Sequence, residues 1–124
     1  MSELKFAGIP YLHLDVYQGH DHTFNIQVED DSTKEVIRYI EGDLTCTVRR
    51  NNPQGNAIFI IKPTFNQSTN CIDLAINGEV TSQIVFSFDN IDQETFFYDI
   101  KLKHNDKDEI VCYGDIFLKV GVTR

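Results

Sequence analysis

The sequence predicts an all-β chain, folded as one antiparallel β-sandwich domain of about seven to nine short strands over residues 1–124. Three observations carry this. Short apolar–polar alternations recur along the chain, separated by turn clusters at fairly even spacing. No stretch of about ten residues or more shows helical periodicity. Phenylalanine (nine) and tyrosine (five) are plentiful while tryptophan is absent, and aromatic and β-branched side chains suit a half-buried pleated surface. A small closed barrel would satisfy the same pattern.

The elements follow in order. Leu12, Leu14 and Val16 alternate with His13, Asp15 and Tyr17, a first strand that turns at Gly19-His20-Asp21. Phe24, Ile26 and Val28 alternate with polar residues as a second strand. A polar turn over 30–35 leads to a short edge strand over 36–40. Leu44, Cys46 and Val48 mark the next strand, closed by the turn cluster over 51–56. Residues 57–62 form an apolar strand read as covered on both faces, ended by Pro63. After a loop over 66–70, Ile72, Leu74 and Ile76 alternate in a strand stopped by Asn77-Gly78.

Residues 79–83 read as one helical turn, and 84–88 as a strand or an irregular segment. The closing hairpin places Phe96, Tyr98, Ile100 and Leu102 inward and Phe97, Asp99, Lys101 and Lys103 outward, with its loop over 104–108. Gly114, inside the final strand, signals a bulge or a close backbone approach.

Composition narrows the function classes. The net charge of −8 opposes phosphate backbones, so nucleic-acid binding is disfavoured, and Arg49-Arg50 with Lys101 and Lys103 are too few for a basic patch. The longest apolar run, 57–61, is far shorter than a bilayer span, so no membrane partner is expected. Three cysteines, an odd number, and an opening Met-Ser-Glu-Leu-Lys without an apolar signal core point to synthesis in a reducing cytosol with free thiols.

Candidate chemistry is thin. His20 and His22, two apart, would share a strand face, with His13 on the preceding strand, but a His-x-His pair lacks the further ligands a zinc site needs. A polar turn with solvated imidazoles is the favoured reading. Cys46, Cys71 and Cys112 are widely spaced, and Cys46 shares the apolar phase of its strand, as a small core residue does. The acidic turns at 29–31 and 105–109 do not follow the calcium-loop order, and Lys107 opposes a cation. There is no phosphate loop and no nucleophile elbow. The expectation is therefore no catalytic residue, no metal, no cofactor and no enzyme activity.

The order of pieces resembles a known family. Val16-Tyr17-Gln18-Gly19 precedes Thr23-Phe24-Asn25-Ile26-Gln27-Val28. Cys46-Thr47-Val48-Arg49 follows, and then Ile72-Asp73-Leu74-Ala75-Ile76 with Thr81-Ser82-Gln83. The chain closes with Phe97-Tyr98-Asp99-Ile100, the loop over 104–108, Gly114 and Val122-Thr123. Over residues 15–124 this is similar to the small immunoglobulin-like modules of tailed bacteriophages, of the type at the N-terminus of the baseplate upper protein. The stretch 84–95 is longer than the family's glycine turn, and Asp30-Asp31-Ser32-Thr33-Lys34 replaces its usual Asp-Gly.

The resemblance implies an immunoglobulin-like sandwich with a structural role in the virion. It would be made in the host cytoplasm and assembled in multiple copies on a symmetric particle. It would bind other virion proteins of the tail, baseplate, fibre, neck or capsid as an adaptor or decoration. Candidate contacts are Ile58, Ile60, Phe86, Phe88 and Phe97, because apolar side chains beyond what the core takes up mark an interaction patch. The alternative is a carbohydrate or host-surface binding module, which predicts Tyr11, Tyr17 or Tyr39 in a flat platform.

Overall fold

A computed structural model describes residues 11–29, 33–37, 42–50, 55–86 and 92–120. Among them, eight strands and one short helix follow one another: β1 (Tyr11–Tyr17), β2 (His22–Ile26), β3 (Asp43–Arg50), β4 (Ala57–Ile61), β5 (Thr64–Asn66), β6 (Cys71–Ile76), α1 (Gly78–Thr81), β7 (Gln93–His104) and β8 (Lys107–Lys119). They form a β-sandwich of a five-stranded sheet, ordered β1-β8-β7-β3-β4, and a three-stranded sheet, ordered β2-β6-β5. Immunoglobulin-type sandwiches likewise put the third strand beside the last two in one sheet and the second strand in the other.

The alternation read from the sequence selects the core. Leu14, Val16, Leu44, Cys46, Val48, Phe96, Tyr98, Ile100, Ile116 and Leu118 line the inner face of the large sheet. Ile26, Ile72, Leu74 and Ile76 meet them from the small one, and all are buried. At the closing hairpin the chain reverses through two residues, Asn105 (φ 53°) and Asp106 (φ 64°), with His104 paired to Lys107. Two successive left-handed residues twist with the strands, so the connection is tighter than the loop expected over 104–108.

Three expectations are corrected. First, the sheet is not wholly antiparallel: β1 and β8 run parallel over seven residue pairs, from Tyr11–Tyr113 to Tyr17–Lys119. After β1 the chain crosses to the small sheet, so the neighbour of β1 must come from a distant part of the sequence. Second, β4 is not covered on both faces. It is the outermost strand of its sheet, so Phe59 and Ile61 pack partly on the core while Ile58 and Ile60 are exposed. Third, the loop expected over 66–70 begins one residue later: Asn66, with 64–65, unassigned from the sequence, forms β5 once Pro63 has carried the chain from one sheet to the other.

Other readings resolve differently. Val36 makes only an isolated bridge to Glu29, and 38–40 lie outside the described residues, as do 51–54 of the turn cluster. The helical turn expected over 79–83 is α1. Residues 84–86 are irregular, and 87–90 lie outside the described residues.

Gly114 is a close approach, not the bulge. A Cβ built there would lie 1.8 Å from the Leu12 carbonyl oxygen, because Leu12 and Gly114 are ladder partners. Tyr98 is the partner of Gly114 on the other side, and its hydroxyl donates across to that same carbonyl at 3.0 Å. The bulge falls earlier in β8. Ile100 faces Cys112 while Lys101 faces Ile110, so Val111 is the extra residue and both Val111 and Cys112 are buried.

The opposite corner is fastened by α1. The Gly19 N–H donates to Thr81 Oγ1 (2.9 Å), Gln18 Nε2 donates to the carbonyls of Thr81 (3.2 Å) and Ile84 (2.9 Å), and the Gly78 N–H donates to Asp21 Oδ1 (2.7 Å). Gly78 is required there, since a Cβ would come within 2.4 Å of the Gly19 carbonyl oxygen.

Candidate docking face

The outward-pointing residues of the five-stranded sheet line up in rows fixed by the ladder. One row runs Tyr11, Tyr113, Asp99, Thr47, Ile60, and the next runs His13, Asp115, Phe97, Arg49. Three of the five sequence-derived contact residues therefore share this face: Phe97 near its middle, and Ile58 (37% exposed) and Ile60 (61% exposed) on its outer strand. Phe86 does not join them, because it packs against the core, and Phe88 lies outside the described residues.

Charges interleave with these side chains. Arg49 Nη1 meets Asp99 Oδ2 at 2.8 Å across neighbouring strands. His13 bridges β1 and β8, with Nδ1 2.8 Å from Asp115 Oδ1 and Nε2 2.9 Å from Asp15 Oδ1; Lys119 Nζ lies 3.4 Å from the same Asp15 oxygen. Since both imidazole nitrogens face carboxylates, only the protonated ring donates to both. The Asp115 hydrogen bond, with Asp15 adding to it against a smaller desolvation effect, raises the His13 pKa above its usual 6.5. His13 in turn lowers the Asp15 pKa, aided by Lys119. Burial, and then the nearby Asp115 charge, raise the Tyr11 pKa.

Aromatic rings pack between the charges. Tyr11 meets Tyr113 edge-on with centroids 5.1 Å apart, and His13 meets Phe117 edge-on at 4.3 Å. These partners on β8 were not singled out from the sequence. Their signal is the phase of Tyr113, Asp115, Phe117 and Lys119 opposite to buried Ile116 and Leu118. The tyrosine platform does not form along β1: Tyr11 and Tyr17 are six residues apart, roughly 20 Å along a strand. Tyr17 stacks instead on His22, 22° from parallel. Tyr39 lies outside the described residues.

Two of the histidines have structural work. His13 is spent on two carboxylates, and His22 Nε2 accepts the Tyr17 backbone N–H at 3.0 Å. Among the described residues, no three His, Cys, Asp or Glu side chains converge as a metal-holding group. Cys46 and Cys112 are buried on either side of Ile100 in the core. Burial pushes the Cys112 thiol up to about 12 and raises that of Cys46 as well, so both are thiols, not thiolate nucleophiles.

Of the concavities, one is an apolar void of about 10 Å³ between Val16, Val48, Phe59 and Phe96, too small and apolar to hold a ligand. A second, of about 250 Å³, is an open cleft between the start of β3 and the β4–β5 connection, with Asp43 and Lys62 as its ionisable side chains. The large face sets exposed apolar side chains beside charged ones, the composition of a contact surface. Its ion pairs run from solvent-facing (His13–Asp15) to half-buried (Arg49–Asp99), and charges so placed can fix register in a water-excluding contact. Compared with known proteins, the chain matches no family model and no curated protein.

Proposed function

We propose that this chain is a structural module of a tailed-phage virion, docking onto another virion protein through the outer face of its five-stranded sheet and acting by binding, not by catalysis. The observation that carries the reading is the face itself: Tyr11, Phe97, Ile58 and Ile60 stand on one sheet surface, interleaved with the Arg49–Asp99 and His13–Asp115 pairs. Protein interfaces combine such aromatic and apolar anchors with charges that set register. The resemblance of the closing hairpin to phage immunoglobulin-like modules supplies the partner class, and synthesis in a host cytoplasm suits three free cysteines, of which Cys46 and Cys112 are buried.

The reading is tested by proteomics of purified particles together with incorporation of tagged variants. Phe97→Asp should reduce incorporation while Thr23→Asp, exposed on the small sheet opposite Ala75, should leave it intact. Absence of the chain from particles, or normal incorporation of Phe97→Asp, sinks the proposal.

A further inference from the structure

We infer that β4 is a self-pairing edge, through which two copies of this chain join strand to strand, antiparallel, about a twofold axis at Phe59. Among the described residues, four strands end the two sheets: β1, β4, β2 and β5. Natural edge strands are guarded by charge, proline or shortness. β5 has three residues, β1 carries His13 and Asp15, and β2 carries the polar His22, Thr23 and Asn25 with no large apolar side chain exposed. β4 reads Ala57-Ile58-Phe59-Ile60-Ile61, with no charge and no proline, and Ile60 is 61% exposed.

The occupant follows from the order of these residues. A twofold axis at Phe59 sets Ile58 opposite Ile60 of the second copy, and Ile60 opposite its Ile58. It sets Ala57 opposite Ile61, and Phe59 opposite itself. Every cross-strand pair is apolar, and β-branched pairs of this kind stabilise a ladder. One step beyond, Lys62 faces Asn56, so no like charges meet although each chain carries −8. Ile58 and Ile60 cover each other on the outer face, while Phe59 and Ile61 continue the apolar inner row. The contact is isologous and closes at two copies, joining two five-stranded sheets into one. A five-residue strand covers much less than the roughly 1,200 Å² of a stable interface, so the dimer is weak and reversible.

Self-pairing shares Ile58 and Ile60 with the docking face, but it is measured on the isolated protein with no particle component present, so either reading can fail without the other. Sedimentation equilibrium over roughly 10 μM to 1 mM should show a monomer–dimer equilibrium. Ile60→Lys, exposed and therefore compatible with folding, should raise the dissociation constant by at least about tenfold. Ile110→Lys, at a 39% exposed position on β8, should leave it unchanged. Register is read by mixing single variants: Ile58→Cys should cross-link to Ile60→Cys faster than either does to itself. A monomer throughout the range, a dimer indifferent to Ile60→Lys, or a dimer equally sensitive to Ile110→Lys overturns the inference.

Discussion

Gly114→Ala probes the seam between the first and last strands. The added Cβ would lie 1.8 Å from the Leu12 oxygen and 2.7 Å from its carbonyl carbon. Carbon–oxygen contacts between strands close to about 3.3 Å, so the Leu12 carbonyl must retreat by about 1.5 Å. Backbone within a seven-pair ladder cannot do this alone, so β1 is pushed off β8 near Leu12. The displacement also strips the Tyr98 hydroxyl of its acceptor. Overpacking costs about 1–3 kcal/mol and the lost hydrogen bond about 1 kcal/mol, against about 0.4–1 kcal/mol gained by restricting the unfolded chain. The net expectation is a destabilisation of about 1–3 kcal/mol, measured by urea unfolding. Tyr98→Phe alone should cost about 1 kcal/mol. The double variant should lose less than the sum, because both changes act through the Leu12 carbonyl. A Gly114→Ala protein within about 0.5 kcal/mol of wild type, or strictly additive losses, would refute the seam argument.

Further outcomes follow from other sites. Asp106→Gly should stabilise the hairpin by about 0.5–1 kcal/mol in the same unfolding assay, since φ of 64° there suits glycine best. By NMR, the His13 imidazole should titrate above 6.5, and Asp115→Asn should bring it back down. Because its folded pKa is raised, the stability His13 contributes is complete below the unfolded pKa and fades as pH rises through the folded one, so Asp115→Asn should flatten that part of the stability profile. Among the three cysteines, a disulfide reagent should modify partly exposed Cys71 in the native protein, while Cys46 and Cys112 react only on unfolding; rapid native modification of all three would contradict their burial.

What the sequence disclosed depended on how local each signal was. The inward phase of Leu44, Cys46 and Val48, and of Phe96 through Leu102, is a period-two pattern contained in one strand, and it is the observed core. Phe97 was correctly turned outward by the same phase. The five apolar residues of β4 look alike whether a strand is buried on both sides or ends a sheet, so its position could not be read locally. Thr64–Asn66 is too short to show a period at all. Gly114 announced an anomaly, but assigning the bulge to Val111 required the register of the partner strand. The docking face was the least legible feature. Tyr11 and His13 acquire Tyr113 and Asp115 as neighbours only through a parallel ladder between residues 102 apart, a relation no window of sequence contains.

That separation has a consequence for biosynthesis. β1 carries Leu12, Leu14 and Val16 as soon as it is made, but its strand neighbour among the described residues arrives 102 residues later. At about 5–20 residues per second, β1 waits roughly 5–20 s for β8 during translation. Its pairing closes a loop of nearly the whole chain, a late and entropically costly event. A nascent chain stalled before β8 should therefore present a bare apolar strand to chaperones and to other copies, while the finished chain hides it.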